Sequence, residues 1–168
     1  VLKHIPGYGR ARVDGHLHLP RVSASRAELA VRDFAPFQAL NDIRMGMTAH
    51  IVMEAIDPEN AATVSAPVMQ VIREEIGFEG LMMTDDISME ALSGSVADRS
   101  AAAIAAGCDI VLHCNGKRDE MAQVVAASGN LSLAGQRRAD DALAQRQNPT
   151  PVDSDRLAAD LEALLAAG

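Results

Sequence analysis

The chain has 168 residues, 48% of them hydrophobic, with a net charge of −8 and only 2% aromatic residues. That length and apolar content support one domain with a sizeable core and exclude a disordered chain. The negative charge, with no Lys/Arg cluster, argues against a nucleic-acid surface, and no apolar run reaches the roughly 18 residues of a membrane span.

In chain order, short apolar runs ending in polar residues alternate with helical patterns. VLKH at 1–4 reads as a strand. A glycine- and histidine-rich loop comes next. Ser25 and Glu28 make a capping box for a helix running to about Asn41, with Pro36 as an interruption or kink. MTAHI at 47–51 reads as the second strand. Ser65 caps the next helix, with Pro67 in its first turn and Val68, Val71, Ile72 and Ile76 on one face. GLMMTDD at 80–86 is the third strand, and Ala97 to Ala106 is a helix stopped by Gly107. CDIVLHCN at 108–115 is the fourth strand, followed by a helix over 117–127. After the breaker NPTP, a helix near 153–166 puts Leu157, Leu161, Leu164 and Leu165 on one stripe.

The later strand ends recur every 30 to 35 residues or so, the length of a βα unit. Continuous apolar strands alternating with helices predict a parallel sheet buried on both faces. Four such units are half of a (β/α)8 barrel, whose site lies at the carboxyl ends of its strands. Those positions hold Lys3 and His4, His50, Asp85 and Asp86, and Asn115. A doubly wound sheet fits the alternation too, but no glycine-rich phosphate loop follows any strand.

The residue types narrow the chemistry. An inward Asp85 at a strand end suits nucleophilic attack, metal binding or charge stabilisation, whereas Asp86, pointing the other way, is read as a helix cap or a partner for a loop N–H. Asp14 lies two residues from His16, close enough to fix an imidazole tautomer and make a mobile general acid/base. Two reaction classes remain open. One is a glycoside or acyl hydrolase using Asp85 and His16. The other is a metal-dependent, amidohydrolase-like hydrolase in which His16 and His18 of DGHLH join His50 and Asp85. Against the metal, GYGRARV at 7–13 does not read as the apolar strand that should precede such a ligand pair. A non-catalytic half-barrel interaction module is a third reading. His18 is expected in solvent and His113 in packing, while His50 is divided between a structural hydrogen bond and a substrate contact. Cys108 and Cys114, about 20 Å apart if their run is extended, are beyond disulfide reach. Both are read as buried apolar filler in a reducing, cytoplasmic setting.

KHIPGYG, DGH, TAHI, EIGFEGLMMTDDISM and AGCDIVLHCN, in that order, resemble the bacterial β-N-acetylhexosaminidases of glycoside hydrolase family 3. The likeness runs from residue 1 to about residue 116. It implies that residues 1–168 are a partial (β/α)8 catalytic domain, strands five to eight, with the first half absent. It further implies Asp85 as nucleophile, His16 as proton carrier with Asp14 as its acidic partner, and Lys3 and His4 as ligands of the sugar hydroxyls. The implied reaction removes terminal non-reducing N-acetylglucosamine, with retention, from muropeptides during cytoplasmic peptidoglycan recycling. No metal or cofactor is implied, nor any nucleic acid or membrane partner. The family often reads PGHG and DSH where this chain has Tyr8 and Gly15, and Gly15 is expected to loosen the loop. The chain by itself is expected to be inactive, and to self-associate or pair with a first-half chain through apolar edge strands.

Overall fold

The computed structural model describes residues 1–15 and 18–167. The elements in chain order begin with β1 (Leu2–Ile5) and β2 (Arg21–Val22). A helical stretch succeeds them as α1 (Arg26–Glu28), a π-helical segment (Leu29–Phe34) and α2 (Ala35–Gln38). Then come β3 (Met45–Thr48), β4 (Val52–Met53), a 3-10 turn (Ala62–Val64) and α3 (Ala66–Glu74). The rest is β5 (Leu81–Asp86), α4 (Val96–Ala106), β6 (Ile110–Leu112), α5 (Arg118–Ser128), α6 (Leu133–Ala144) and α7 (Ser154–Ala166).

The main sheet is parallel, in the order β1-β3-β5-β6. Its register pairs Ile5 with Thr48, Met47 with Met83, and Asp86 with Leu112. A parallel sheet delivers every carboxyl end to the same edge, so the residues just past Lys3, Thr48 and Thr84 are brought together by topology alone. The fold is therefore α/β with a parallel sheet.

Local signals act as the sequence predicts. Ser25 and Glu28 form a reciprocal capping box. Ser65 accepts the Val68 N–H at 3.2 Å, and Val68, Val71, Ile72 and Ile76 are buried. Gly107 ends α4 with φ 117°, a left-handed conformation that costs glycine little. Pro36 has no N–H for the bond back along the helix, and the chain widens into π geometry over Leu29–Phe34 just before it. Phe78 anchors the core: a Cβ at Gly46 would come within 2.7 Å of its ring and 2.9 Å of Ile5, so β3 is glycine where the ring crosses.

Three expectations are corrected. The run 47–51 is not one strand. β3 stops at Thr48, and Val52 joins a second, two-stranded parallel sheet with β2, its N–H bonding Pro20 O at 2.9 Å. His50 thus falls in the crossing between two sheets. β6 is shorter than 108–115, because Asp109 turns its carboxylate to Arg73 at 3.1 Å, Arg138 at 2.9 Å and the Met82 N–H at 2.9 Å. The leucine stripe of α7 forms but faces outward, Leu157 being 56% and Leu164 74% exposed. Helix α6 has no counterpart in the sequence reading. It is capped by Ser132 and fastened by Arg138 to Asp109 and to Glu79 O.

Candidate active site

A cavity of about 570 Å³ opens at the carboxyl edge of the main sheet, within the usual size of a small-molecule site. Lys3 and His4 enter it from β1, Asp85 and Asp86 from the end of β5, and Asp14 with Gly15 from the loop after β1. His50 lines it from the β3–β4 crossing.

Asp85 is presented with both oxygens placed. Oδ1 accepts the Asp86 N–H at 2.8 Å, and Oδ2 lies 3.6 Å from His4 Nε2. His4 is held below its ordinary pKa, mainly by burial and further by Lys3, against an upward pull from Asp85. Its imidazole is neutral near pH 7, so Asp85 faces a polar ring rather than a fixed cation.

Asp86 does what its structural reading requires. Its Oδ1 accepts the Ser88 N–H at 3.0 Å, the Ser88 hydroxyl at 2.8 Å and the Cys114 N–H at 3.1 Å. Asp86 also borders the cavity beside Asp85.

His50, at 1% exposure, makes the structural hydrogen bonds that were one of the two roles weighed for it. Nε2 lies 2.9 Å from Asp86 O and Nδ1 2.7 Å from Thr63 Oγ1. Burial lowers its pKa, against smaller upward pulls from the Asp86 backbone and the Asp85 and Asp86 carboxylates. A carbonyl only accepts, so the neutral ring carries its proton on Nε2, and Nδ1 accepts from the Thr63 hydroxyl. Thr63 also lies 3.1 Å from Ala49 O, but its single proton favours the shorter bond to Nδ1. Thr48 Oγ1, 2.9 Å from Thr63 Oγ1, supplies that oxygen with a donor in turn. Both His50 nitrogens are thereby engaged, which removes His50 from the metal-dependent reading. Among the described residues, no group of three His, Cys, Asp or Glu side chains is placed to hold a metal ion.

His16, the expected proton carrier, lies outside the described residues. Asp14 reaches the cavity, and its carbonyl accepts the His18 N–H at 3.0 Å. His18 itself is exposed, as expected.

Asn115 does not join the site. It donates to Glu120 Oε2 at 2.6 Å, alongside His113 Nε2 at 3.0 Å and Lys117 Nζ on the other oxygen at 3.1 Å. These donors, His113 first, bring Glu120 down to about 2. His113 is buried, but it serves this polar knot rather than apolar packing. Cys108 is buried, with burial raising its thiol to about 12. Cys114 is exposed and borders the cavity, against the filler reading. Its position just past β6, at the same sheet edge as Asp85, was the available signal. Tyr8, Val13 and Met89 also line the cavity and were passed over by strand-end reasoning; the Tyr8 ring tilts over His4 at 6.1 Å between centroids.

A parallel sheet with acidic and basic side chains converging on a cavity at its carboxyl edge defines an α/β protein with an enzyme-like site. Residues 1–146 match the model of the glycosyl hydrolase family 3 N-terminal domain, and the chain belongs to that family. It is 42% identical over 119 residues to a beta-hexosaminidase of Alkalilimnicola ehrlichii, covering 68% of this chain and 34% of that protein. Among solved structures it resembles a family 3 beta-N-acetylglucosaminidase of a Paenibacillus species, with TM-score 0.75 and 27% identity over 90% of this chain and 32% of the other. It also resembles NagZ of Neisseria gonorrhoeae in complex with N-trifluoroacetyl-D-glucosamine, with TM-score 0.70 and 33% identity over 82% of this chain and 40% of the other. The chain spans about a third of the length of the curated relative and a third to two fifths of these structures.

Proposed function

We propose that this chain is the second half, strands five to eight, of the (β/α)8 catalytic domain of a retaining β-N-acetylhexosaminidase. On this reading residues 1–168 form a partial domain that acts with a first half on terminal N-acetylglucosamine of muropeptides, in cytoplasmic peptidoglycan recycling. The observation that carries it is Asp85, whose carboxylate is fixed at the end of β5 by the Asp86 N–H and faces His4 in the cavity.

Asp85 attacks the anomeric carbon as the bond to the departing sugar oxygen breaks, giving a covalent glycosyl-enzyme. His16, oriented by Asp14, hands its proton to that oxygen and then takes one from the water that releases the sugar. Most retaining enzymes place a second carboxyl group about 5 Å away for this task; here an imidazole on a loop takes its place. Lys3 and His4 hold ring hydroxyls, and a neutral His4 can accept from a hydroxyl or donate to it. The beta-hexosaminidase relative and the glucosamine-derivative complex support the substrate class.

The test is covalent trapping in a polypeptide carrying both halves. A fluorinated N-acetylglucosaminyl fluoride, slow to hydrolyse, should add one sugar mass to a peptide containing Asp85. Label on any other residue, with none on Asp85, would overturn the assignment.

A further inference from the structure

Tyr8 and Gly15 occupy one space. A Cβ built on Gly15 would collide with the Tyr8 hydroxyl and approach its ring carbon Cζ to 3.0 Å. Gly15 does not adopt a positive φ, so a left-handed backbone conformation does not explain the glycine. What position 15 requires is the absence of a side chain, because the phenol lies there. Burial, then the Asp14 and Asp85 carboxylates, raise the Tyr8 pKa, against a hydrogen bond with the Gly15 backbone. The hydroxyl is therefore protonated near neutral pH.

The foot of the loop is fixed separately. Arg10 Nε reaches both carboxylate oxygens of Asp33, at 3.0 and 2.9 Å, and the Ala11 N–H bonds Tyr8 O at 3.1 Å. The Tyr8 backbone thus belongs to the anchored foot, while its side chain crosses to the far limb, at the residue after Asp14.

We propose that Tyr8 is a positioning residue: its hydroxyl, seated on the Gly15 backbone, latches the far limb of the loop so that Asp14 is held at the cavity. The latch itself rests on geometry. Its effect on turnover rests on the proposed pairing of Asp14 with His16 as the acid/base. A side chain at position 15 excludes the phenol, so positions 8 and 15 must change together.

The chain reports on this directly, because Tyr8 is its single tyrosine and it has no tryptophan. Gly15→Ala should at least double the acrylamide quenching constant of tyrosine emission and flatten the tyrosine band in near-UV circular dichroism. The far-UV spectrum should not change. Tyrosine signals identical to those of the unaltered chain would overturn the latch. A thermal-melt cycle gives a second measurement. The Tm drop caused by Gly15→Ala should shrink by at least half in a Tyr8→Ala background, and a variant that fails to fold should recover there; additive effects or no recovery would overturn the pairing. In the two-half enzyme, Gly15→Ser should lower kcat about tenfold with KM within twofold. Tyr8→Phe, which keeps the ring and removes the hydroxyl, should lower kcat to a similar extent with KM again within twofold. A Tyr8→Phe kcat within twofold of the unaltered enzyme would overturn the positioning role. If Asp85 is not the nucleophile, the trapping experiment fails while the two spectroscopic and thermal results stand.

Discussion

His50 Nε2 sits 2.9 Å from the main-chain carbonyl of Asp86, so one ring ties the β3–β4 crossing to the end of β5. Asp86 in turn donates its N–H to Asp85 Oδ1 at 2.8 Å. The orientation of the Asp85 carboxylate therefore traces back through the backbone of one residue, Asp86, to His50, and through His50 to Thr63 and Thr48.

That chain has a weak link in Thr63. Thr63→Val keeps the shape but leaves His50 Nδ1 buried without a donor. The expected cost is about 1–3 kcal/mol, read by urea unfolding. A cost below about 0.5 kcal/mol would mean that the ring does not depend on this hydroxyl.

The same histidine makes stability depend on pH. Its folded pKa lies below the ordinary value of about 6.5, so at mildly acid pH the unfolded chain binds a proton that the folded chain refuses. Stability is full above about pH 6.5 and falls as pH drops from there through the depressed folded value. His4 is shifted in the same direction. Unfolding free energies at pH 7.5 and 5.5 should differ less in His50→Gln than in the unaltered chain. An equal slope in both would place the titration elsewhere.

Asp85→Asn in the two-half protein should reduce turnover of an aryl N-acetylglucosaminide more than a thousandfold, about 4 kcal/mol of barrier, with the far-UV spectrum unchanged. A tenfold loss, about 1.4 kcal/mol, is too small for a covalent nucleophile.

Chelation separates the two hydrolase classes. A glycosidase working through Asp85 and His16 should keep its rate after exhaustive treatment with a chelator. Loss of activity that zinc restores would favour the metal-dependent reading, with His16 and His18 in place of the engaged His50.

The chain alone should lack glycosidase activity and should not be a monomer. β1 and β6 are the outer strands of the main sheet, and unpaired strand edges invite another chain. Light scattering after size exclusion should give more than the 17.7 kDa chain mass, with no turnover of the aryl glycoside. A stable monomer, or turnover at the rate of the two-half enzyme, would overturn this.

Much of the fold was legible because its signals are local. Ser25 with Glu28, Ser65, and Gly107 each act within a turn or so of themselves, and their types announce their roles. Asp85 could be placed because a parallel sheet sends every strand end to one edge. The misreadings share a different cause. Whether 47–53 is one strand or two depends on Pro20 and β2, some thirty residues upstream. Asn115 and His113 are drawn away by Glu120, whose position is set by the start of α5. Helix α6 buries only Gly135 and is fastened largely by Arg138, a long-range contact that its own sequence does not announce.

The Asp109 side chain is only 5% exposed and receives Arg73 from α3, Arg138 from α6 and the Met82 N–H of β5, all at the amino edge of the sheet. That edge is opposite the cavity. The molecule thus has two poles: a clasp of fixed charges that closes the chain at one end, and at the other a set of acids and imidazoles left open to the cavity. Sequence change around the first alters whether the protein persists; around the second, what it acts upon. Beyond Arg138 the chain has already made its last long-range charge contact among the described residues, and α7 is exposed along its length, tied to neither pole by an ion pair.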